Sequence, residues 1–69
     1  MTSREEKQQV FIRVCRDSGF RLEAVSAATL AATALRCSPL EIWTAVGSLD
    51  TMDAIANGSH PAANRTLGA

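Results

Sequence analysis

The chain has 69 residues, 46% of them hydrophobic and 20% charged, with seven Lys and Arg balancing seven Asp and Glu. That length allows one domain with a modest core, and the hydrophobic share is that of a globular chain rather than a disordered one. Zero net charge excludes the strongly basic footprint of a typical nucleic-acid binder.

Ser3 followed by Glu6 reads as a capping box, so a first helix is expected from Arg4 to Asp17. Val10, Phe11, Val14 and Cys15 form its apolar stripe, with Ile12 off that stripe. Ser18-Gly19 ends it, the glycine supplying a left-handed turn and Phe20 packing back on the last turn. A second helix is expected from Arg21 to Arg36, with Leu22, Val25, Ala28, Ala32 and Leu35 on one face. Ser26 and Thr29 offer a second start, which would split it into two short helices. Its many alanines suit close helix–helix approach and strong helix propensity.

Ser38 caps a third helix with Pro39 in its first turn. Gly47-Ser48 allows either one helix from Pro39 to Ala56 or a break, with Ser48 capping a fourth. Leu49, Met52, Ile55 and Ala56 continue an apolar stripe in either case, and Asn57-Gly58 is a stop signal. Residues 58–69 have the composition of a flexible tail and no periodicity. The expected fold is therefore all-α: a bundle of three to five helices over residues 1–57, with a disordered C-terminal tail. Its expected core contains Phe11, Val14, Leu22, Val25, Leu35, Ile42, Val46 and Ile55.

Residues 31–50 read AATALRCSPLEIWTAVGSLD, a helix-turn-helix pattern. Two small residues permit close packing, Leu35 fills the corner under the turn, and Ile42, Val46 and Leu49 form a buried stripe at i, i+4 and i+7. The pattern resembles the N-terminal DNA-binding domain of LysR-type regulators at Ala31, Ala32, Leu35, Ser38, Ile42, Val46, Leu49 and Asp50. That resemblance implies a helix-turn-helix core and sequence-specific DNA binding as a dimer.

The side that would face a partner argues otherwise. Pro39, Leu40, Trp43, Thr44, Gly47 and Ser48 point outward, with Glu41 toward the side. A DNA-reading helix offers Arg, Lys, Asn or Gln to base edges. This one offers a leucine, a tryptophan and a carboxylate. Between Pro39 and Ala56 there are Glu41, Asp50 and Asp53 and no Lys or Arg. A polyanion is repelled by such a surface, whereas Leu40 and Trp43 have the make-up of a protein-interface hot spot. The alternative for Trp43 is burial as the sole tryptophan of a small core. Phosphate contacts, if made, would fall to Arg4, Arg13, Arg16, Arg21 and Arg36.

Chemistry is not signalled. There is no glycine-rich phosphate loop, no nucleophile–base set and no metal-ligand spacing, and a core this small leaves little room for a water-excluding site. Cys15 and Cys37 lie 22 residues apart without a C-x-x-C, and His60 falls in the tail, so the cysteines read as reduced, mostly buried thiols. The N-terminus lacks signal-peptide features, and the apolar run from Ala24 to Leu35 is too short for a bilayer. A cytoplasmic protein without catalytic residues, cofactor or metal is expected. The predicted partner-binding residues are Pro39, Leu40, Glu41, Trp43, Thr44 and Gly47, facing a protein partner such as a transcription factor. DNA is disfavoured by charge, a membrane is not expected, and a homodimer is allowed. In size and charge the chain is similar to small helix-turn-helix antiactivators that restrain quorum-sensing control of conjugative elements. A dimeric DNA-binding regulator is the alternative.

Overall fold

A computed structural model describes residues 3–61. The Ser3 hydroxyl accepts the Glu6 N–H at 3.1 Å and opens α1 (Arg4–Asp17). Glu5 and Glu6 in its first turn and Arg16 in its last complement the helix dipole. The helix closes by a double back-bond: Phe20 N–H reaches Cys15 O and Gly19 N–H reaches Arg16 O, both at 2.9 Å. Gly19 takes φ +71°, as the sequence suggested, but Phe20 follows at φ +60°. For a residue with a side chain that conformation costs about 1–2 kcal/mol. Its ring is partly buried against the core, within 3.2 Å of where a Cβ on Gly58 would sit.

The left-handed Phe20 and the extended Glu23 (φ −69°, ψ 155°) delay α2 (Ala24–Leu35), which therefore starts three residues later than expected. It is a single helix with no restart at Ser26 or Thr29. The Thr29 and Thr33 hydroxyls donate to the Val25 and Thr29 carbonyls, one turn back, at 2.9 Å each. Arg36 ends it in the left-handed region at φ +57°, with Cys37 N–H on Ala32 O at 2.9 Å. Two further residues, Cys37 and Ser38, lead to α3 (Pro39–Val46). Ser38 and Glu41 form a reciprocal capping box: Glu41 N–H donates to Ser38 Oγ, and Ser38 N–H to Glu41 Oε2 at 2.9 Å. Gly47, at φ +121°, breaks the chain, and Ser48 caps α4 (Leu49–Ala56) by accepting Thr51 N–H at 3.1 Å. The break wins over one continuous helix.

Each helix packs on the other three. Phe11, Cys15 and Ile42 are fully buried where they meet. The first helix is also stitched to the third by polar groups: Arg4 Nε and Gln8 Nε2 both donate to Ala45 O, and Lys7 Nζ lies 3.5 Å from Glu41. These bonds give the last turn of α3 a donor for one of its open carbonyls. Among the described residues there is no strand, and no buried polar side-chain atom lacks a partner.

The core departs from expectation in three places. The second helix turns Ala24, Ala27, Ala28, Ala31 and Ala32 inward, leaving Val25 65% and Leu30 50% exposed. Small side chains let α1 and α3 approach the helix axis, and a valine at the centre of that face would hold them off. Ile12, expected off the stripe, is buried, because α4 as well as α2 and α3 packs on α1. Leu49, expected inside as the continuation of Ile42 and Val46, is 44% exposed. The turn at Gly47-Ser48 resets the helical phase, so α4 buries Met52, Ile55 and Ala56 instead. Phe11, Ile42 and Ile55 are buried as predicted, whereas Val14, Leu22, Leu35 and Val46 are only partly covered. Beyond α4, Gly58 N–H bonds Ile55 O, and the Ser59 and His60 N–H groups bond Ala54 O. The rest of the tail expected to be flexible, residues 62–69, lies outside the described residues.

Candidate functional site

A helix of eight residues with one face buried must show the other, and what α3 shows is set by its cap. Pro39 at the first position and the Ser38–Glu41 box fix the start of the helix, which places Ile42 and Ala45 inward. Leu40 is then 65% and Trp43 44% exposed. Trp43 is therefore a partly exposed surface residue rather than a centre of the core. Its indole edges an apolar cleft of about 270 Å³, walled by Pro39 and Leu40 on α3, Val25 and Ala28 on α2, and Leu49 and Met52 on α4.

The six predicted partner-binding residues do not share one surface. Pro39, Leu40 and Trp43 line the apolar cleft. Glu41 and Thr44 line a separate cleft on the α1 side with Arg4 and Lys7, and Leu40 forms the ridge between the two. Glu41 is occupied by the cap and by Lys7, and chiefly the Ser38 N–H, helped by Lys7 and opposed by desolvation, holds its carboxyl below the ordinary carboxylate value. The Thr44 hydroxyl donates to Leu40 O at 2.9 Å within its own helix. Gly47 is exposed and supplies the turn to α4 through its positive φ and the N–H it gives to Trp43 O at 2.8 Å.

Val25 and Leu49 are the walls that sequence reasoning missed, having assigned both to the core. Both also line a second cleft of about 420 Å³, which runs on between α2 and α4 past Phe20, Leu22, Glu23 and Asp53. The two clefts adjoin at Val25 and Leu49, which line both, and this adjoining pair forms the trough on the α2, α3 and α4 side of the molecule. Among the described residues, four of the five large hydrophobic residues that are exposed, namely Val25, Leu40, Trp43 and Leu49, lie along it, and Leu30 does not. Exposed apolar side chains scattered singly carry no meaning, but their convergence on one groove does.

The basic residues sit elsewhere. Arg4 and Lys7 are committed to Ala45 O and Glu41, and among the described residues no Lys or Arg lines either half of the trough. Among the described residues no group of three or more His, Cys, Asp or Glu could hold a metal ion, and no helix is long and apolar enough to cross a membrane. Burial pushes the Cys15 thiol up to about 11, which keeps it protonated and unreactive at neutral pH. Comparison with known protein families, curated proteins and solved structures found no match to this chain.

Proposed function

We propose that this is a small regulatory protein of helix-turn-helix type that acts by binding another protein through the exposed face of α3, as an antiactivator does when it masks a transcription factor. The observation that carries this reading is the half-exposed Trp43 beside Leu40, over an apolar cleft that, among the described residues, no cationic side chain lines. Large aromatic anchors next to a preformed apolar recess are the usual energetic centre of a protein interface. The short Arg36–Ser38 connection, with the sequence pattern of residues 31–50, supports the helix-turn-helix assignment.

Trp43→Ala should cost the complex roughly 2–4 kcal/mol, a loss of about 30- to 1,000-fold in affinity. Capture of a partner by the wild-type chain from its native host, repeated with the variant and with its thermal unfolding, tests the reading. Lost capture with an unchanged melting temperature supports an interface. A collapse in melting temperature would mean that the indole serves the fold. The second reading, a dimeric DNA-binding regulator, rests on the same residues 31–50. A salt-resistant footprint on a short palindrome would establish it in place of the first, because non-specific contact by a few arginines fades steeply as salt rises.

A further inference from the structure

The trough changes character along its length. At the α3 end its walls are apolar, with Pro39, Leu40 and Trp43 facing Val25 and Leu49. At the far end two carboxylates enter the lining, Glu23 from the residue before α2 and Asp53 from the middle of α4. Both residues are exposed. Glu23 sits at the N-cap position of α2 but makes no side-chain cap bond, and among the described residues neither carboxylate has an ion-pair or hydrogen-bond partner. The sequence from Cys37 to Pro61 contains no Lys or Arg, so the α3 and α4 walls cannot compensate them.

We propose that the partner's element is an amphipathic helix, its apolar stripe lying along Trp43, Leu40, Val25 and Leu49 and its Lys or Arg residues meeting Glu23 and Asp53 at one end. This deepens the protein-binding reading above and rests on it. A groove between helices receives the i, i+3, i+4, i+7 face of a helix, and among the described residues there is no strand edge to which an extended peptide could add. The molecule measures 27 × 25 × 19 Å, so a helix of three to four turns, about 16–22 Å long, spans the face. Charge complementarity sets the class of partner. An acidic helix would meet like charge, and a second copy docking through the same face would bring two more uncompensated carboxylates to the contact.

The test uses two synthetic peptides of roughly sixteen residues with the same leucine stripe, one flanked by lysines and one by glutamates. Binding to the full chain is followed by Trp43 fluorescence and by anisotropy of the labelled peptide, at low and high salt. The lysine peptide should bind about ten-fold more tightly at low salt, with the gap narrowing as salt screens the exposed charges. Glu23→Lys with Asp53→Lys should reverse the preference, and the milder Glu23→Gln with Asp53→Asn should abolish it, both with unchanged melting. Equal binding of the two peptides, or a preference that survives both double variants, overturns the basic-helix inference. If Trp43→Ala still abolishes binding in that case, the apolar interface stands. Binding of neither peptide overturns the inference too, and the protein-binding reading is then judged by the partner capture alone. Concentration-dependent self-association that is lost in Trp43→Ala would make a second copy the occupant and overturn it likewise.

Discussion

Truncating two aliphatic residues that sequence patterning places in the same core should give opposite results. Ile42 is fully buried at the junction of α1, α2 and α3, whereas Val25, equally apolar in the sequence, is 65% exposed. Ile42→Ala removes three carbons from a site walled by other helices and leaves a cavity, which costs about 2–5 kcal/mol. Total stability at roughly 0.05–0.15 kcal/mol per residue amounts to only about 3–10 kcal/mol for a chain of this size. With a urea slope near 1 kcal/mol/M, the midpoint should fall by about 2–5 M, and the weaker end of the stability range would leave the variant unfolded. Val25→Ala removes a side chain that is mostly in water and replaces a β-branched residue with the best helix former. Its midpoint should stay within about 0.5 M of wild type. Circular dichroism at 222 nm follows both melts. A Val25→Ala protein destabilised as much as Ile42→Ala would mean that α2 is rotated from the phase described, and the trough would lose a wall.

Two further expectations concern the ends of α3 and of the helix before it. Arg36 holds a left-handed conformation at φ +57°, so Arg36→Gly should relieve strain worth more than the chain entropy that glycine adds. A net gain of about 0.5–1 kcal/mol in urea melts is expected, and a loss would mean that the arginine side chain has a structural partner. The Glu41 carboxyl is held below its ordinary value of 4.5, chiefly by the Ser38 N–H. Its contribution is therefore present above that value and is lost as pH falls through it toward the lowered folded value. Glu41→Gln keeps a capping side chain but does not titrate. Its stability should fall less than wild type on acidification, and parallel pH profiles would refute the assignment.

What the sequence made legible was local. Ser3, Ser38, Ser48, Gly19 and Asn57-Gly58 act on backbone groups within a few residues of themselves, so their residue types alone mark the helix ends. The phase of α2 was not legible. Alanine is at home on a buried or an exposed face, so a helix with six alanines carries little amphipathic signal, and spacing Val25 with Leu22 and Leu35 turns an exposed residue inward in the reading. The ties that orient α1 on α3 span 34 residues (Lys7 to Glu41) to 41 residues (Arg4 to Ala45) and involve a side chain meeting a distant carbonyl or carboxylate. No periodicity encodes such a contact. For the candidate site the consequence was a half-seen groove: Pro39, Leu40 and Trp43 could be placed from the α3 pattern, but the opposing wall required the α2 phase and the break at Gly47.

The distribution of apolar mass links stability to binding. The chain fills much of its interior with alanine and leaves Val25, Leu40, Trp43 and Leu49 in the open, so part of the apolar area that could be buried is not buried by folding alone. A partner that covers the trough recognises only the folded arrangement of α2, α3 and α4, since those four side chains come together only there. Binding must then stabilise the fold by mass action, by about 2.7 kcal/mol at a partner concentration one hundred times Kd. For a domain of this size each kcal/mol corresponds to about 4–8 °C, so the melting temperature should rise by roughly 10–20 °C with saturating partner. The measurement is differential scanning calorimetry of the wild-type chain and of Trp43→Ala, each with and without the captured partner. The wild-type transition should move upward with concentration, while at the same partner concentration the variant, with its roughly 30- to 1,000-fold weaker affinity, should gain less than about 1 kcal/mol, a shift of at most about 7 °C. A partner that binds tightly yet leaves the wild-type melting temperature unchanged would be binding the unfolded chain equally well, and the folded α3 face would not be its site.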